Sequence, residues 1–262
     1  MNTARKYSIK VINENGQLES NLLREMADRF ESLEFIADDP ISVPHQFSKK
    51  EDIEISGLFA AILAWGQRPV IIRNANDLID RMDRAPFDFI INHEENDLKR
   101  FLNFKHRTFQ YIDFQGIVKG LKWLYEEADG LEGLFSNKDL SIEERISSLR
   151  KTILDHGAQG RTAKHLPDPL NGSSAKRINM YLRWMVRSNK RGVDFGLWKG
   201  IEPRELFLPL DVHTGRVARE LGLLTRKQND WKAVDEVTQI LRAFDPEDPI
   251  KYDFALFGLG AL

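Results

Sequence analysis

The 262-residue chain contains no cysteine. Disulfides, thiolate zinc sites, iron–sulfur clusters and cysteine nucleophiles are thereby excluded. It also lacks an apolar run of membrane-spanning length, and its polar opening, MNTARKYSIKVINENGQ, has no apolar core of the kind a signal peptide carries. A cytoplasmic protein with no membrane partner is expected. Excess charge of one sign is missing too. The 38 Lys and Arg residues against 40 Asp and Glu leave a formal net charge of -2. That balance argues against coating nucleic acid non-specifically but leaves room for a local basic patch. There are six histidines, none paired with carboxylates at metal-ligand spacing, and no Walker-type or dinucleotide glycine motif. No metal and no cofactor are expected.

What is present is helical periodicity. Residues 1–17 read as a loose arm or a short extended segment closing at Asn-Gly. Beyond them Leu22, Leu23, Met26, Phe30 and Leu33 recur three and four apart. IEISGLFAAILAWG is apolar nearly all round, as a helix at the centre of a bundle would be. Capping-box patterns occur at Ser48/Glu51, Ser141/Glu144 and Thr225/Gln228, the last opening a helix through Arg242. Alternating strand patterns and 20–50-residue repeats are absent beyond the first residues. The expectation is an all-α, monomeric protein.

Two residues stand out as chemistry-bearing. Lys176 lies just inside a helix predicted over Ala175–Ser188, whose apolar stripe is Ile178, Tyr181, Leu182, Met185 and Val186. Arg183 and Arg187 follow Lys176 by nearly two and three whole turns, with Lys190 close by, so a row of cations is expected on one face. Such a row either follows a phosphate backbone or solvates an outer face. At the helix start, the positive end of the macrodipole and the neighbouring Arg177 and Arg183 favour the neutral amine, which is a nucleophile toward a sugar C1′. Asp211 follows Leu208-Pro209-Leu210 and precedes VHTGRVARELGLL. It is placed to cap that helix, and also to accept a proton or stabilise positive charge. His213 reads as structural.

LPLDVHTGRVARELGLL resembles the segment of helix-hairpin-helix DNA glycosylases in which a catalytic aspartate precedes a helix, and NGSSAKRINMYL sits where that superfamily has its hairpin and catalytic lysine. The 35-residue separation of Lys176 and Asp211, with RGVD between them, is most similar to the archaeal 8-oxoguanine glycosylase branch. The chain also resembles an uncharacterised bacterial family marked by KR(I/L)N-x-(Y/F)LRWMVR. The usual hairpin reads L-P-G-(V/I)-G-x-K-T-A. Here Gly172 takes the first glycine position and Ser174 the second. The resemblance implies a single two-lobed glycosylase-like helical domain over residues 1–262, its lobes meeting near 172–211. It implies excision of a damaged base from duplex DNA through a lysine Schiff base, with strand nicking as a possible second step. Lys176 and Asp211 would be catalytic. Gly172, Ser173, Ser174, Arg177, Arg183, Arg187 and Lys190 would hold the nucleic acid. AAILAWGQ resembles the glycosylase helix ending in an active-site glutamine, and FALFGLGAL the closing helix, so Gln67, Trp65 and Phe254 would line the base pocket. Two other readings stay open: a nucleic-acid-binding protein that keeps the fold without the chemistry, and an interaction module using the same basic groove.

Overall fold

The computed structural model describes residues 21–157 and 160–261, so the arm expected over 1–17 lies outside the described residues. Those residues are mostly helical, with one small ribbon as the strand content among them, and the all-α class holds. The chain divides into two compact units. Of the described residues, a middle unit comprises those within 36–171 and 197–201, and a terminal unit those within 21–35, 172–196 and 202–261.

Helices α1 (Asn21–Phe30) and α2 (Leu33–Ala37) lead into the middle unit. Its central element is α3 (Lys50–Leu63), in which every residue from Ile53 to Leu63 is buried, as its all-round apolarity predicts. The expected Ser48/Glu51 box is not what starts it. Lys49 is the capping residue, its backbone still extended, and no side chain caps the helix. Helices α4 (Arg68–Asp80) and α5 (Pro86–Asn92) pack on α3. A two-stranded antiparallel ribbon, β1 (Lys105–His106) and β2 (Phe109–Gln110), follows with His106 opposite Phe109. Strands of two residues are too short to show alternation, which is why periodicity missed them. Then come α6 (Tyr111–Glu127), α7 (Gly130–Phe135) and α8 (Ile142–His156). The Ser141/Glu144 box forms as written: Glu144 N donates to Ser141 Oγ at 3.3 Å and Ser141 N to Glu144 Oε2 at 2.7 Å.

Glu54 on α3 and Asp113 on α6 are carboxylates buried in this apolar setting. Glu54, 2% exposed, accepts hydrogen bonds from Tyr125 Oη at 2.7 Å and Trp198 Nε1 at 2.6 Å. The Trp198 bond fastens the returning segment Leu197–Ile201 to α3. Burial pushes the Glu54 carboxyl above its ordinary range, and the bonds from Tyr125 and Trp198 offset that only in part.

The terminal unit contains α9 (Lys176–Val186), α10 (Val212–Glu220), α11 (Trp231–Phe244) and α12 (Tyr252–Ala261). Helix α12 lies along α1, and Gly258 permits the approach: a Cβ there would come 2.1 Å from the Phe30 ring. Helix α11 begins later than the Thr225/Gln228 pattern predicts. Asp230 caps it, accepting from Ala233 N at 3.1 Å, while the Thr225 hydroxyl and N–H both go to Glu236.

Candidate active site and a buried arginine network

The turn that delivers Lys176 is built from small residues. Gly172 is exposed at φ +86°, and its carbonyl accepts from Trp231 N at 3.1 Å; Ser173 bridges to Asp230. The Ser173 hydroxyl accepts from Ala175 N at 3.2 Å, and the Ser174 carbonyl accepts from Asn179 Nδ2 at 3.1 Å. Ala175, the residue at the cap of α9, stands in the left-handed region at φ +48°, which side chains other than glycine seldom adopt. The chain reaches this turn from a three-residue 3-10 turn, Pro169–Asn171, rather than from an α-helix.

Lys176 is then the first residue of α9, and Asp211 is the capping residue of α10. Their side chains meet, with Lys176 Nζ 3.9 Å from Asp211 Oδ2, and both are about one-third exposed. The two oxygens of Asp211 divide the work. Oδ1 accepts from His213 N at 2.8 Å, Thr214 N at 2.9 Å and the Thr214 hydroxyl at 3.1 Å, which satisfies the free donors of the first helical turn. Oδ2 is left to the lysine. Asn229 Nδ2 donates to the Asp211 carbonyl at 2.9 Å, and Asp211 N donates to the Thr214 hydroxyl at 2.9 Å. The aspartate is held from backbone and side chain alike. Behind the lysine, Met180 Sδ is 3.5 Å from Nζ.

The cation row expected to rise from Lys176 is corrected by the structure. From Ile178 to Arg187 every residue is buried, and Arg183 and Arg187 are each 3% exposed. Neither presents its charge to a phosphate. Arg183 donates to Asp253, lies 3.3 Å from Asp194, and stacks 4.4 Å above the Phe254 ring. Arg187 donates to Asp194 at 2.6 Å, to Glu31 at 3.0 Å, and through two nitrogens to Asp248 at 2.8 and 2.9 Å. Burial by itself would weaken the Arg187 charge, but Asp194, Asp248 and Glu31 outweigh it and hold the guanidinium more firmly protonated than usual. Burial raises the Asp194 carboxyl against the pull of Arg183 and Arg187. It raises Asp253 likewise, against Arg183 and then Lys176, with the Asp211 charge adding to the rise. Asp253 therefore lies in the same electrostatic neighbourhood as the Lys176–Asp211 pair.

Phe254 is fully buried beneath Arg183, with Phe35 edge-on at 5.2 Å, so it does not line an accessible pocket as expected. Lys190 is exposed on a short 3-10 turn, and Arg177 is half-buried, its guanidinium lowered to about 10 by burial.

The family model described as "Protein of unknown function (DUF2400)" matches residues 39–262. This chain belongs to the DUF2400 family. No curated protein and no solved structure matches it.

In this DUF2400 chain the remaining pocket candidates, Trp65 and Gln67, belong to the middle unit, between α3 and α4. Gln67 is exposed at the start of α4 and Trp65 is half-buried. Two groups that sequence reasoning missed contribute to the geometry. Thr214 completes the Asp211-x-x-Thr214 cap, a spacing legible in the chain. Asp253 has no local signal, because its partner Arg183 is 70 residues away.

Proposed function

We propose that this chain is a DNA repair glycosylase in which Lys176 is the nucleophile and Asp211 its proton acceptor. The observation that carries the reading is the 3.9 Å approach of Lys176 Nζ to the one Asp211 oxygen that the helix cap leaves unused. The proposed step begins with an unpaired, flipped nucleotide. Asp211 takes a proton from the ammonium, and the freed electron pair attacks C1′. The glycosidic C1′–N bond breaks, and the base leaves with the electron pair of that bond and takes up a proton. The lysine nitrogen, now bonded to C1′, loses a proton; its lone pair breaks the C1′–O4′ bond, O4′ takes up a proton, and a protonated Schiff base results. Loss of a C2′ proton then expels the 3′ phosphate and nicks the strand. No cofactor enters this scheme. With Arg183 and Arg187 withdrawn into the core, contact with the backbone around the lysine falls to Gly172, Ser173, Ser174, Arg177 and Lys190.

The test is borohydride trapping on a panel of oligonucleotides carrying oxidised, alkylated, deaminated and abasic sites. Reduction of the Schiff base attaches the protein covalently to the strand. The expected result is an adduct with at least one lesion that disappears in Lys176→Gln, while the circular dichroism and unfolding midpoint of that variant match the parent within the small range of a surface substitution. An adduct that persists in Lys176→Gln removes the lysine assignment. A panel that yields neither adduct nor released base removes the glycosylase reading.

A further inference from the structure

The middle unit brings together three segments that are separate in sequence: residues 64–69 (AWGQRP), 104–111 (FKHRTFQY) and 160–165 (GRTAKH). Several contacts join them. His106 Nε2 lies 3.3 Å from the Trp65 carbonyl, and the His165 ring is 5.1 Å from Phe109 and 6.5 Å from Trp65. Arg161 donates to the Thr108 carbonyl and to Gln110 Oε1, each at 3.1 Å, and pairs with the buried Asp113 carboxylate at 2.9 Å. The charge of the cluster is one-sided. The three segments hold Arg68, Lys105, Arg107, Arg161 and Lys164 and not one Asp or Glu, in a chain whose total charge is slightly negative. All five cations are on exposed residues.

Arg107 shows what the cluster is shaped for. It is the first residue of the two-residue turn between β1 and β2 and stands at φ +55°, a conformation glycine or asparagine adopts with less strain. Its guanidinium is stacked 4.5 Å over the half-exposed Trp65 ring. The neighbouring Gly66 (φ +121°) makes room for it, since a Cβ there would lie 3.2 Å from Arg107 Nη1. An arginine kept at a strained turn and laid across a tryptophan is a local exception of the kind that marks a binding surface.

We infer that this face of the middle unit binds a single-stranded stretch of nucleic acid, with Trp65 and Arg107 as the platform for an unstacked base and the surrounding cations on the phosphates. A polyanion fits a surface on which Arg161 is neutralised by the buried Asp113 while Arg68, Lys105, Arg107 and Lys164 are also exposed. An aromatic–arginine platform adds what a bare polyanion site does not need, a π-face for a base, and paired bases inside a duplex do not offer theirs. This inference does not depend on Lys176, which belongs to the other unit.

The experiment measures anisotropy of a fluorescein-labelled oligo-dT of about 12 nucleotides, a length within the range such sites cover, against the full chain over a salt series. Removing one phosphate contact in Lys164→Gln should lower the slope of log K against log salt by about 0.7, and Arg107→Gly, which removes half of the platform, should weaken binding with a folding midpoint at or above that of the parent because the turn is relieved. Trp65→Ala should weaken binding about fivefold to a hundredfold, and Trp65→Phe should restore most of it. The same losses should appear in a Lys176→Gln background, so failure here and failure of the lysine chemistry are read separately. Oligo-dT affinity unchanged in both Arg107→Gly and Trp65→Ala, or a salt slope unchanged in Lys164→Gln, would overturn the inference. So would an acidic peptide that binds as tightly as oligo-dT and is weakened equally by the Trp65 substitution.

Discussion

Replacing Arg187 by methionine separates the two roles that periodicity and structure assign to it. As a phosphate ligand it would be dispensable to folding. As found, it is 3% exposed and closes bonds to Asp194, Glu31 and Asp248. Methionine matches much of its length but strands Asp194, whose side chain has no exposure, and Glu31, at 6%, as carboxylates without this counterion. Breaking one side of a buried ion pair costs about 3 to 5 kcal/mol, a large share of the roughly 5 to 15 kcal/mol that holds a domain together. With a urea slope of about 2 to 3 kcal/mol/M, the unfolding midpoint should fall by about 1 to 2.5 M at unchanged slope. Arg187→Met/Asp194→Asn should recover part of the loss, because the deepest stranded charge is then gone. The control is Lys190→Met, which should stay within about 0.5 kcal/mol. A loss below about 1 kcal/mol for Arg187→Met, equal to the control, would refute the buried-network account.

Two further outcomes follow from individual carboxylates. Burial raises the Glu54 carboxyl above its ordinary 4.5, so the folded chain holds that proton more tightly than the unfolded chain does. The resulting stability is full below the unfolded value and is lost as pH rises through the folded one. Urea titrations across that window should show the parent losing stability relative to Glu54→Gln as pH rises, and parallel curves would contradict this. At Asp211, alanine should cost about 1 kcal/mol by removing the helix cap whereas asparagine costs little, yet both should slow adduct formation. Equal destabilisation by the two substitutions would mean the cap is not what holds Asp211.

Local physics was legible in the chain, and partners distant in sequence were not. The all-round apolarity of Ile53–Leu63 gave away a central helix, and Ser141 with Glu144 gave the start of α8, because caps and periods are written within a few residues. Lys176 and Asp211 were found through residues next to them. Arg183 and Arg187 were misread because helical spacing says which residues share a face but not what the face meets. The carboxylates that draw this face inward come from Glu31, Asp194, Asp248 and Asp253, scattered across more than 200 positions. Thr225 and Gln228 failed as a cap for a related reason: Glu236, inside α11 itself, competes for the threonine. The ribbon carrying Arg107 left no pattern, since a strand of two residues has no period.

Helix α9 carries Lys176 at its first position, and from Ile178 onward its residues are enclosed, so the helix has no tolerant outer side. A chain with such an element cannot drift there one residue at a time. Losing Arg183 strands Asp194 and Asp253 together, and losing Asp194 leaves two guanidinium groups short of a counterion. Viable replacements must arrive in matched sets drawn from α1, α9, the loop after it and α12. Among relatives of this chain these positions should accordingly vary jointly or not at all, while Arg177 and Lys190, at the two open ends of the stretch, should vary independently of them.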